Sequence, residues 1–157
     1  MRRSILPTLA GIAVFAVACG AGSVRPSYEP FPNARVDTIN ALPADVIQEV
    51  QSRILSENMR ANWVSPAEGY LETQWFNVVT QQSGVTDIQN PDRVIRLRFF
   101  ADPLEGGKTK LTSEAVYQRT TDPSVQPRDR EMIVPPGHAG DRLLIQVMDG
   151  VKQRFGK

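Results

Sequence analysis

The 157-residue chain has little of several things that proteins use for chemistry. It holds one cysteine and one histidine. A disulfide within the chain and a cysteine-cluster zinc site are therefore excluded, and a histidine-rich metal site is not expected. An excess of one charge is also missing. Lys and Arg total 18 against 17 Asp and Glu, a net charge of +1, whereas a general nucleic-acid binder carries a basic surplus. No apolar run reaches the roughly 20 residues that a membrane-spanning helix needs, because the longest, Ile5 to Ala18, stops short. There is no Gly-x-Ser-x-Gly segment, no calcium-loop spacing and no internal repeat. What is present is a hydrophobic content of 41%, enough for one domain with a real core.

The N-terminus carries the clearest signal. Arg2 and Arg3 precede the apolar run, and the run ends in Ala16-Val17-Ala18-Cys19-Gly20. A short basic start, an apolar stretch and small residues before a cut site form a secretory signal. The only cysteine sits at that cut, which resembles the lipobox of bacterial lipoproteins. The resemblance implies that the Cys19 thiol takes a diacylglycerol, that the chain is cut before it and that the new amine is acylated. The other reading is an ordinary signal peptide that contains a cysteine. Two or more acyl chains hold a protein stably on a bilayer, where one holds it only marginally at about 0.8 kcal/mol per CH₂. Gly20 stands where an inner-membrane retention signal has Asp, so the expected location is the periplasmic face of the outer membrane, with the inner membrane as the alternative.

The expected organisation is a lipoprotein signal peptide over 1–18, a lipidated cysteine with a flexible tether over 19–41 and a folded domain over 42–157. Residues 20–34 are rich in Gly, Ser and Pro and show no apolar period, which reads as a linker. Fully extended, it spans at most about 50 Å.

Within the domain, Val46, Ile47, Val50, Ile54 and Leu55 recur at helical spacing, predicting a helix over 43–58. Leu143, Leu144, Val147, Met148, Val151 and Phe155 predict a second helix over 141–155. Between them, 70–76, 93–101 and 108–118 alternate like strands, the last two forming a hairpin across Asp102–Gly107. Weaker strand signals fall at 34–39, 62–64 and 131–134. The predicted fold class is α+β, a two-layer sandwich of two helices on one face of a three- to four-stranded antiparallel sheet. The other sheet face is expected to carry Glu72, Arg96, Arg98 and Glu114. The element order, a Trp-containing strand and the segment Gly69-Tyr70-Leu71-Glu72-Thr73-Gln74-Trp75 resemble the helix-grip domains of BamC-like (NlpB-type) outer-membrane lipoproteins. That resemblance implies a non-enzymatic role beside the machinery that inserts β-barrels, with no cofactor. Lipopolysaccharide-transport lipoproteins, which also pair two helices with a small sheet, are a second comparison.

Candidate sites are few. His138 lies in a Pro-Gly-rich loop with no nucleophile motif to serve, so it reads as a loop histidine rather than a base. Glu68, Glu72 and Glu114 are scattered carboxylates with no implied cleft. With Trp75 assigned to the core, Tyr70 and Phe76 fall in the opposite phase. Together with Arg96 and Arg98 they form the candidate binding surface, the arginines being read either as phosphate contacts or as partners of cross-strand glutamates. The expectation is a membrane-anchored protein that binds an envelope protein, without catalytic residues, metal or nucleic acid. A lipid or lipopolysaccharide carrier is the alternative.

Overall fold

The computed structural model of the chain describes residues 22–156. The expected signal peptide over 1–18 and Cys19 lie outside the described residues.

Helix α1 (Pro43–Ser56) begins where the sequence favours it. Pro43 occupies the first turn with its fixed φ, and Asp45 faces the positive end of the helix dipole. It ends where Asn58 turns left-handed at φ 60°. The Met59 amide then reaches the Ile54 carbonyl at 2.9 Å and the Asn58 amide reaches that of Leu55 at 3.1 Å. Met59 and Ile54, both buried, close this stop over an apolar contact. Helix α2 (Ala139–Phe155) starts on His138, whose ring accepts from the Gly140 amide, while Asp141 reaches back to the Gly137 amide. The two side chains satisfy two amides reciprocally, as in a capping box.

The strands are β1 (Arg35–Ile39), β2 (Ala61–Ser65), β3 (Tyr70–Thr73), β4 (Phe76–Asn77), β5 (Gln82–Ser83), β6 (Val94–Leu104), β7 (Lys108–Gln118) and β8 (Glu131–Ile133). All pairings are antiparallel. The main order is β1-β7-β6-β3-β2, with β8 pairing β7 and the β4–β5 ribbon pairing β6. The expected three- to four-stranded sheet is thus overturned by one of eight strands, in a fold that is still α+β. The weak signals at 34–39, 62–64 and 131–134 are β1, β2 and β8, and the strands given no signal of their own, β4 and β5, are two residues long. Their place comes from backbone pairing beside the long β6–β7 hairpin, which a pattern of side chains does not report.

The helices cover one face. Val46, Ile47, Val50 and Ile54 of α1 and Leu144, Val147, Met148 and Val151 of α2 pack on Leu71, Ile95, Leu97, Phe99, Leu111 and Ala115. Gly150 lets the helices approach, since a Cβ there would stand 3.0 Å from Arg53 Cδ. Gly69, at φ 62°, turns β2 into β3, and a Cβ there would lie 2.1 Å from the Ala101 carbonyl oxygen.

The second face is covered too. Over Leu97–Ala101 of β6 and Leu111–Val116 of β7 every position is buried, and not alternate ones alone. Part of the cover is the segment expected to be a free tether. Residues 24–31 run along this face, held by the Glu68 carboxylate on the Val24 and Arg25 amides and by the Glu114 carboxylate on the Phe31 amide. The chain turns at Phe31–Ala34 and returns as β1, at the edge of the sheet. The folded unit therefore includes residues assigned from sequence to the linker.

Candidate functional site

The buried second face holds the densest group of polar side chains. Arg98 projects from β6 opposite Glu72 of β3 and Glu114 of β7, as the registers require. Its Nε donates to Glu72 at 2.7 Å, and its two terminal nitrogens donate to both Glu131 oxygens at 2.6 and 2.8 Å. Arg128, from the 3₁₀ turn Arg128–Arg130, donates to Glu114 at 2.8 Å. Arg96 lies 3.4 Å from Glu72 and 3.7 Å from Glu131. Three guanidinium groups thus meet three carboxylates. Arg98, Glu72, Glu114 and Glu131 are each at most 7% exposed.

Aromatic side chains close this cluster. Tyr28 lies 5.6 Å from the Arg98 guanidinium and 4.4 Å from that of Arg128, and the Phe31 ring lies 3.6 Å from Arg128. Trp75 stacks on Arg96 at 4.3 Å. Cations over aromatic faces gain more when water is excluded, as here. Tyr70 packs on Phe100 and donates to Glu72.

The environment shifts the titrations in directions that fit a closed network. Burial pushes the Glu72 carboxyl up, but Arg96 and Arg98 outweigh it and hold the group below its ordinary value. Burial pushes the Tyr70 phenol far above its ordinary value, with the Glu72 charge acting in the same direction. For Arg98, the carboxylates around it outweigh burial and keep the guanidinium charged. Each of these charges lies within 4 Å of an opposite one, and the hydroxyl bonded to the carboxylates is the Tyr70 phenol, kept protonated by its burial. This arrangement holds a shape and offers neither a free acid nor a free base.

The four residues expected to form an exposed binding surface do not form one. Tyr70 is 1% exposed, on the charged face beneath the N-terminal segment, and Phe76 is 2% exposed, in the helix-side core. The phase error has a local cause. β3 ends at Thr73, Gln74–Trp75 interrupt the alternation, and Phe76 resumes in β4 facing the helices. Trp75, assigned to the core, is half-buried on the charged face instead. Arg96 and Arg98 do share that face, paired with glutamates. Glu68 fastens the N-terminal segment, and Ser23, Arg25 and Val24 hold its carboxyl below the ordinary range. His138 caps α2. Sequence reasoning missed Arg25, Tyr28, Phe31, Arg128 and Glu131. The available signal was two aromatics in a stretch otherwise composed like a linker, where aromatics are scarce.

Two open features remain. A groove of about 870 Å³ runs between the end of α1 and the β5 region, lined by Leu55, Met59, Arg60, Gln82 and Val85 among others. Strands β1 and β2 end the main sheet path, and among the described residues no strand pairs with the outer edge of either. Trp63 on β2 is 51% exposed. Among the described residues no cluster of His, Cys, Asp and Glu could hold a metal, and no helix is long and apolar enough to cross a membrane. No protein-family model matches the chain, and no curated protein matches it in sequence.

Proposed function

We propose that the chain is a non-enzymatic envelope lipoprotein, anchored through Cys19, whose α+β domain binds another envelope protein in outer-membrane assembly or maintenance. The role is the one that the BamC-like resemblance implies. The observation that carries the binding function is the unpaired outer edge of β2 with Trp63 standing out from it. An unpaired strand edge offers a row of backbone donors and acceptors to an incoming strand, and an exposed Trp supplies the apolar anchor that interfaces favour. The anchor rests on the sole cysteine at the end of the apolar run.

The test is crosslinking in intact cells from a photoreactive residue at position 63, with the captured chains identified by mass spectrometry. Capture of a defined envelope protein, lost when the crosslinker is moved to exposed Gln126, supports the reading. Absence of any envelope protein among the products overturns it. A Cys19→Ser chain is expected to leave the membrane fraction or to stay uncleaved. The carrier alternative requires a cavity between the helices and the sheet, but that space is filled by side chains such as Val46, Val50, Leu97 and Leu111, all at 0% exposure.

A further inference from the structure

The path of the N-terminal segment has a consequence for where the domain sits. The β6–β7 turn (Leu104–Lys108), the β2–β3 turn that carries Glu68 and the start of α1 all lie at one end of the sheet. The registers fix this: Leu104 pairs Lys108, Gly69 adjoins Ala101, and Ile39 pairs Thr109 just before α1 begins. The N-terminal segment leaves the domain at the same end. The Val24 and Arg25 amides are bound to Glu68, and Arg25 is paired with Asp102 at 2.6 Å. From Cys19 to Val24 is five residue steps, so the two Cα atoms are at most about 18 Å apart, against the roughly 50 Å of a free linker.

We infer that this end of the domain, with Leu42 and Leu104 foremost, rests on the lipid surface. The inference rests on the proposal that Cys19 is lipidated. An anchor this close to a fixed point keeps this end of the domain within about 18 Å of the headgroups. The end it brings down presents Leu42 at 58% exposure and Leu104 at 42%. Leu104 ends β6 and Leu42 caps α1, so both apolar side chains stand at the ends of their elements, where they can enter the headgroup boundary. Lys108 is exposed beside them, and lysine stems pack on apolar surface while the ammonium stays among headgroups. The β4–β5 ribbon, with exposed Val79, adjoins Val94 at the start of β6. β6 spans about 30 Å at strand rise, so that end faces away from the bilayer.

The experiment uses the full lipidated chain in phosphatidylcholine vesicles with and without bromine on the acyl chains. In separate preparations Leu104→Cys, Leu42→Cys and Val79→Cys carry a thiol-linked fluorophore, the Cys19 thiol being blocked by its lipid. Brominated lipid is expected to quench the probes at 104 and 42 about twofold or more, as for a group at the acyl boundary, and to leave the probe at 79 unchanged. Equal quenching at 104 and 79 on a chain whose Cys19 is shown by mass to be lipidated overturns this inference alone. An unmodified Cys19 overturns the lipoprotein reading and this inference with it.

Discussion

The two faces of the sheet are buried to a similar depth by opposite means. On the helix side, aliphatic side chains from α1 and α2 meet the odd-numbered residues from Ile95 to Phe99. On the other side, Arg96 and Arg98, the even-numbered neighbours, meet glutamates and are sealed by Tyr28, Phe31 and Trp75. The apolar face gains from removing area from water and tolerates imperfect partners. The charged face is held by mutual satisfaction, so each member depends on the others. Burial by itself therefore says little about how a residue is held in this protein.

The largest expected effect is on the charged face. Arg98→Met leaves Glu72 and Glu131 buried without their main partner and is expected to cost about 3–5 kcal/mol of unfolding free energy in denaturant titration. A smaller loss than that of a surface change would erase the contrast between the faces. Leu97→Ala, one residue away on the helix side, is expected to cost about 2–5 kcal/mol through a cavity. The two are separated by acid: the Arg98→Met penalty shrinks as the stranded glutamates protonate, whereas the Leu97→Ala penalty does not.

The pH dependence of the intact protein sharpens the comparison further. The Glu72 carboxyl is held below 4.5 in the folded state. Its contribution is present above that value and is lost as pH falls through the lowered folded value. The Tyr70 phenol is raised above 10.0 when folded. Its contribution is complete below pH 10.0 and is lost as pH rises beyond it. Melting temperature against pH should fall at both extremes, and Glu72→Gln with Tyr70→Phe should flatten both limbs.

Tyr28→Ala removes the ring over two guanidinium groups and is expected to cost about 1–2 kcal/mol, two cation–π contacts of ordinary strength. Hydrogen exchange should quicken first at the Val24, Arg25 and Phe31 amides, which are bound only through the segment's docking. Unchanged protection there would mean that the segment is held by its backbone contacts alone. The smallest effect is expected at Trp63→Ser on the open β2 edge, within about 0.5 kcal/mol in stability, while crosslinked partner is lost.

Much of the domain was legible in the sequence. Both helices begin and end within a few residues of the periodic apolar stripes, because Pro43, Asn58 and the apolar spacing act locally. The β6–β7 hairpin was legible for the same reason. The charged face was foreseen as a row of Glu72, Arg96, Arg98 and Glu114, but its depth was not. Glu131 and Arg128 come from a segment read as mostly loop, and Tyr28 from one read as linker. Their contacts join residues far apart in the chain, and apart from the two aromatics in the linker-like stretch no local pattern announces them.

Neighbours along the chain were enough to set the helices, the central hairpin and the alternation that sends Leu97 and Arg98 to opposite sides. The sequence also places its one cysteine at the end of its one long apolar run. Long-range packing makes the arginines enclosed and not displayed, and makes residues 24–31 a fastened strap and not a free tether. Those outcomes depend on which distant carboxylates and rings arrive at the same place, and that is set when the whole sheet has formed.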